Sequence, residues 1–330
     1  FKQKTAYEML RSLVGSEMCI RDSIKSAKAF GLVHWGHMSS NIRAILVCLL
    51  AYICFDLMSV HVRILSVVYS PQELSVYRNV LGVLPSIVLL AYTRELSFSI
   101  SDYKIKKWKL AFCRGLFVAA AQLLFYTALA SVELATVSAL GQTNAIFIVM
   151  IATLVYGERA GIWRWGSVIV GFVGVLLIVR PGSEVFTWTS VFPIGAAFCY
   201  AASIVTLRSF DKSTSSAVLY LYSSCSAAIG AILFAAVTTE FTPLQSYKDA
   251  VLILSMSICG GFGVVFLMYA FRNAPASVLA PFSYFGIITA LAFGWFIFGE
   301  LPINTLFPGI IFIIVSGFTI LWREKKLRSR

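Results

Sequence analysis

The chain is 330 residues long, 59% apolar and only 13% charged, with a net charge of +12. Soluble domains carry roughly 25% charged residues, and a soluble chain could not hide so much apolar surface from water. A soluble globular protein is therefore excluded. The basic residues lie in short clusters between apolar runs, which speaks against a nucleic-acid surface and for a membrane.

In chain order, residues 1–37 come first. The stretch "KQKTAYEMLRSLVGSEMCIRDS" has the look of a non-native or upstream-translated leader, expected to be disordered and set aside from the fold. Met38 reads as the natural start, because "MSSNIRAILVCLL" runs directly into an apolar segment. A helix crossing the hydrocarbon core needs about 20 mostly apolar residues. The pattern predicts five such spans at 44–65, 73–93, 110–129, 134–156 and 163–180. Five more are predicted at 189–208, 216–237, 250–271, 276–298 and 304–322. Six cysteines fall inside these segments and Cys19 in the leader, so they read as small apolar fillers, neither disulfides nor metal ligands.

Ionisable groups inside a span cost roughly 2.5–3.5 kcal/mol on insertion scales, so each needs a reason. Asp56 lies about 18 Å along the first helix, near the midplane, with Ser59 and Arg63 on its face. It is either a substrate or proton site facing a cavity, or a buried acid paired with an arginine of another helix. Arg78, near the outer end of span two, and Arg114, near the inner end of span three, either face a cavity or reach the headgroups. Arg63 reads as an interface anchor. Gln142 and Asn144 are a neutral polar pair within span four, able to bind a ligand or to join helices. Tyr200, Ser203, Tyr269, Tyr284 and Trp295 are candidate aromatic or hydroxyl lining.

The two sets of spans repeat. "SALGQTNAIFIVMIATLVYGE" (138–158) corresponds to "APFSYFGIITALAFGWFIFGE" (280–300) at an offset of 142 residues. Gly166, Gly174 and Arg180 return 143 residues on as Gly309, Gly317 and Arg323. Five spans per half is odd, so the halves enter the membrane with opposite orientation. With the N-terminus inside, the inner segments hold 18 Lys and Arg from residue 23 onward and the outer ones 2. The positive-inside rule then places both termini in the cytoplasm. The expected fold is all-α and polytopic, with ten transmembrane helices as two five-helix inverted-topology repeats, 38–182 and 183–330. Such repeats suit alternating access around a midplane site.

Two "GE" pairs in register (Gly157–Glu158 and Gly299–Glu300), with "CRGLFVAAAQLLFYTAL" (113–129), "VYGERAGIWRWGSVIVGFVGVLLIVRPG" (155–182) and "YAFRNAPASVLAPFSYF" (269–285), resemble the EamA branch of the drug/metabolite transporter superfamily. The segment "ELSVYRN" (73–79) is similar to members labelled S-adenosylmethionine uptake carriers or metabolite exporters. Glu133 stands where members often have proline. The resemblance implies a secondary carrier of a small metabolite in the bacterial inner membrane, with no cofactor and no catalytic residue.

The expected partners are that metabolite, amino-acid-like or cationic, the lipid bilayer, and protons as a coupling ion through Asp56. A monomer suffices for a cavity. An intramembrane enzyme or lipid-handling protein is the competing reading. The chain has no phosphate loop, nucleophile elbow, H-E-x-x-H or Cys/His cluster.

Overall fold

The computed structural model describes residues 40–92, 103–157, 162–180, 187–210, 214–274 and 279–328. The expected leader and the Glu158 half of the first "GE" pair lie outside them. The described residues are helical, without strands. The helices are α1 (Ser40–Leu65), α2 (Pro71–Leu81), α3 (Val83–Tyr92), α4 (Trp108–Leu129), α5 (Leu134–Gly141), α6 (Asn144–Tyr156) and α7 (Ile162–Val179). There follow α8 (Phe192–Thr206), α9 (Ser216–Thr238), α10 (Tyr247–Asn273), α11 (Phe285–Phe298), α12 (Ile303–Leu306) and α13 (Gly309–Arg328). Lipid offers no partner for backbone amides, so apolar runs of this length must satisfy them internally, as helices do.

Seven helical segments of the described residues are long and apolar enough to cross a bilayer: Ile42–Leu65, Pro71–Ala91, Trp108–Leu129, Leu134–Val155, Trp188–Thr206, Ala217–Thr238 and Tyr247–Leu267. Three shorter apolar helices, Trp165–Val179, Phe282–Phe298 and Gly309–Thr319, fall on the predicted fifth, ninth and tenth spans. The chain is a multi-pass membrane protein.

Five expected spans are not continuous α-helix: the sixth opens and closes in 3-10 turns, the tenth breaks at Phe307–Pro308, and three others break nearer the polar residues. The second breaks between α2 and α3 at Gly82, whose N–H still reaches the Arg78 carbonyl at 2.8 Å. Pro85 follows, and it has no amide to bond back to Leu81. The fourth breaks at Gln142–Thr143, where the Thr143 hydroxyl donates to the Leu140 carbonyl at 2.7 Å and competes with the ladder. The ninth begins as a 3-10 turn, Ala280–Tyr284. By the 142-residue offset, Gln142 corresponds to Tyr284, so the last two irregularities occupy equivalent positions.

Local chemistry sets the helix ends. Ser70 and Glu73 form a capping box: the Ser70 amide donates to Glu73 Oε2 at 2.7 Å and Ser70 Oγ accepts from the Glu73 amide at 3.3 Å. Glu73 is fully buried and also accepts from the Thr242 amide. Tyr69 donates to Asp249 at 3.0 Å and accepts from the Gln245 amide at 3.1 Å. These bonds tie the start of α2 to the segment entering α10. Gly157 and Gly299 close α6 and α11 with φ of 64° and 69°. The glycine of each "GE" pair is thus a left-handed C-cap.

Because nothing lies within 4 Å of where a Gly299 Cβ would stand, Gly299→Ala carries only the backbone cost, about 1–2 kcal/mol. We expect it to lower the melting temperature. Gly166→Ala, in equally open space on a regular helix, should not. Equal melting temperatures for the two variants would refute the capping role.

Helix packing comes in reciprocal pairs. The most extensive contact is α1 on α10, and α8 packs on α4. In the expected repeat, α1 would correspond to α8 and α4 to α10. α9 lies across α4 and α2, and α11 across α1 and α5. α7 and α13 meet through glycines, since a Cβ on Gly174 would sit 2.7 Å from the Gly309 carbonyl oxygen. Ser316 fastens the same contact by donating to the Ser167 carbonyl at 2.6 Å. Gly171 and Gly174 thus pack span five closely against span ten, while Gly166 faces open space.

Candidate functional site

The first polar cluster forms where α1, α11 and the α5–α6 break converge. Asp56 is 7% exposed and accepts a hydrogen bond from the Thr289 hydroxyl of α11. Among the described residues no ion pair joins Asp56 to an arginine; its partner is a neutral hydroxyl. Gly286 makes this approach feasible, because a Cβ there would lie 3.4 Å from the Tyr52 ring and 3.9 Å from Asp56 Oδ2. Tyr52 hydrogen-bonds with Ser283, and Gln142 Nε2 donates to the Ser283 carbonyl at 3.2 Å. Asp56 and Gln142 thus approach the same turn of chain.

The second cluster lies between α2, α4, α8 and α9. Arg78 is 8% exposed, and its Nε has no hydrogen-bond partner among the described residues. One of its terminal nitrogens reaches Asn79 at 3.5 Å, and Tyr126 stands nearby. The Tyr126 hydroxyl also points at the Met58 sulfur, 3.6 Å away. Tyr200 is within electrostatic reach of Arg78. Arg114 donates through Nε to the Ser203 carbonyl at 3.2 Å and through a terminal nitrogen to Ser223 Oγ. Gly115 lets α9 come this close, since a Cβ there would sit 3.0 Å from Ser223 Cα. Tyr220 lies within electrostatic reach of both arginines.

The remaining predicted residues stand apart from these clusters. Tyr284 stacks on Phe318, with centroids 5.4 Å apart and an interplanar angle of 18°, and its hydroxyl fills the space left by Gly317. The Tyr284 ring thus turns toward α13, while Gln142 bonds the carbonyl of the neighbouring Ser283. Asn144 Oδ1 is buried without a partner among the described residues. Tyr269 is 38% exposed and its carbonyl accepts from Asn273 at 2.8 Å. Trp295 is 52% exposed and packs on Phe296.

Arg63, read as an interface anchor, has protein partners. It pairs with Glu300, donates to the Val132 carbonyl at 3.0 Å and lies over the Phe298 ring at 4.9 Å. It ties the end of α1 to the end of α11 and the start of α5.

Several contributors carried no sequence signal of their own. Thr289, Ser283, Tyr126, Tyr220 and Ser223 are hydroxyl residues inside apolar helices, and such residues are common helix-packing groups. A small cavity of about 100 Å³ lined by Leu81, Pro85, Val88, Leu254 and their neighbours lies apart from both clusters. It is far below the 300–1,000 Å³ of a typical ligand pocket. No group of three or more His, Cys, Asp or Glu side chains among the described residues is placed to hold a metal ion.

Comparison with known proteins agrees with this architecture. The pattern of the EamA-like transporter family matches residues 42–180 and again 187–322. A Helicobacter pylori protein named an uncharacterised transporter is 28% identical over 82% of this chain and 92% of its own. A Rickettsia conorii S-adenosylmethionine uptake transporter is 26% identical over 56% of this chain and 62% of its own. A Pseudomonas aeruginosa pseudopaline exporter is 25% identical over 86% of this chain and 96% of its own. With both halves matched and two polar clusters set inside a bundle of apolar helices, the chain belongs to the EamA-like transporter family.

Proposed function

We propose that this chain is a secondary-active carrier of a small metabolite, working by alternating access between residues 38–182 and 183–330. Its setting in this reading is the bacterial inner membrane, with both termini in the cytoplasm, ten spans, and a single chain enclosing the path. The observation that carries the reading is the placement of Asp56. It is a buried acid held by one hydroxyl from the opposite half, with no arginine paired to it among the described residues. An intramembrane acid without an ion-pair partner is costly, and such groups mark substrate or proton paths. Reciprocal helix packing and the equivalent irregularities at Gln142 and Tyr284 support two halves that can exchange roles.

Relatives named for uptake and for export both resemble the chain. The reading therefore covers export or uptake, with protons coupled through Asp56.

The test is flux in vesicles that contain the purified full chain, loaded with a mixture of isotope-labelled small metabolites. A gradient-driven loss of one solute in unchanged chemical form is expected. Chemical conversion of that solute, or leakage equal to that of protein-free vesicles, would overturn the proposal and favour the enzyme reading or neither.

A further inference from the structure

Glu73, which opens the "ELSVYRN" segment, is a fully buried acid with no cation in pairing distance among the described residues. Its oxygens accept from the Ser70 and Thr242 amides and, at 3.5 Å, from the Thr242 hydroxyl. Its place in the first turn of α2 also sets it against the positive end of the helix dipole. Further contacts run between the same two stretches of chain. Tyr69 bonds Asp249 and the Gln245 amide, and the Thr239 hydroxyl donates to Ser70 Oγ at 3.3 Å. The Phe241 ring meets Tyr77 edge-on, with centroids 6.5 Å apart. All of these contacts join the first half of the chain to residues 239–249, which lead from α9 into α10 in the second half. In the carrier reading they lie at the end of the bundle away from the cytoplasm.

The chemistry of this contact lets it part. Ser70 and Thr239 are partly exposed, and hydrogen bonds at such a rim exchange for bonds to water at small net cost. A buried carboxylate regains its solvation when the contact opens, which offsets the bonds it gives up. The other end of α2 is already separate from α3, because the helix breaks at Gly82 and Pro85 follows. Resting on the carrier reading above, we propose that residues 239–249 are a strap clasped to the start of α2 by Glu73 and Tyr69, and that its release, with α2 pivoting at Gly82, opens the outer end of the path. The structure shows the clasped form.

The experiment locks the clasp and loosens it separately, in the full chain. Ser70→Cys with Thr239→Cys sets two thiols where two hydroxyls lie 3.3 Å apart. Oxidation should join them and stop flux in the vesicle assay, and reduction should restore it, while the parent chain responds to neither treatment. For loosening, Val76 is the reporter position, 8% exposed and packed with Ala231 and Ala235 of α9. In whole cells, Val76→Cys should react slowly with a membrane-impermeant maleimide added outside, measured above the labelling of the same chain without that substitution. Adding Glu73→Gln should raise the rate about tenfold, the effect of weakening one hydrogen bond to a charged group. Tyr69→Phe provides the same test should Glu73→Gln fail to fold.

Absence of the disulfide under oxidation, full flux once it has formed, or labelling of Val76→Cys that neither variant alters would each overturn the strap. Full flux through the oxidised pair would leave the carrier reading standing. Parent vesicles without flux, together with labelling that rises in the loosened variants, would do the reverse: the clasp moves and the carrier reading fails.

Discussion

Asp56→Asn is expected to cut gradient-driven flux strongly while leaving insertion and melting temperature close to those of the parent. Asparagine keeps the shape and an oxygen that accepts from Thr289, so the α1–α11 contact survives. What it loses is the charge and the ability to take up a proton. A hydrogen bond to a charged group contributes about 1.5–3 kcal/mol, so flux should fall roughly tenfold to a hundredfold. Thr289→Val should act through the same acid, lowering flux, while Thr289→Ser retains the hydroxyl and most of the activity. The measurement is initial flux per inserted molecule, with melting temperature alongside. If Asp56→Asn transports normally, the acid is a packing group and the carrier needs another coupling site. If both Asp56→Asn and Thr289→Val lose stability in proportion to flux, the pair is a structural clasp.

What the sequence revealed follows from the cost of burying charge. Asp56, Arg78 and Arg114 were visible because each interrupts a long apolar run, and the structure buries Asp56 and Arg78 and half-buries Arg114 within two polar clusters. Thr289 and Tyr126 were invisible because a hydroxyl in an apolar helix costs little and serves packing as often as binding. Tyr269 and Trp295 show the converse: an aromatic in a span is as much at home on an exposed face, where both are found.

The helices themselves were legible from apolar length, but the breaks were not. Gly82 and Thr143 act on single carbonyls within one turn, below what a twenty-residue window resolves. The pairing of Arg63 was not legible because its partner Glu300 lies 237 residues away. Periodicity along one helix says nothing about such a distance.

That pair yields the second large expected effect. Arg63→Gln should lower stability by about 1–2 kcal/mol, less than for a fully buried pair because the side chains remain 17% and 24% exposed. Glu300→Gln should cost much less, and the double variant should recover most of the Arg63→Gln loss. The asymmetry arises at Glu300, which lies just beyond the end of α11. Burial pushes its carboxyl above the ordinary range, Arg63 opposes this, and nearby Glu133 adds to it. Arginine is therefore what makes the ionised acid tolerable.

The sign with pH follows. A carboxyl raised in the folded state binds its proton more tightly there, so folded stability rises as pH falls from above that raised value toward the ordinary one. Without Arg63 the raise is larger. The deficit of Arg63→Gln should thus be full at neutral pH and shrink on acidification. In the carrier reading this contact must part whenever the bundle opens at that end, and weakening it by 1–2 kcal/mol shifts the two conformations by roughly 5–30-fold. Flux should change even where the folded fraction does not. A double-mutant cycle in melting temperature, repeated at neutral and acidic pH, decides the matter: additive losses independent of pH would show that Arg63 and Glu300 stand side by side without holding the helices together.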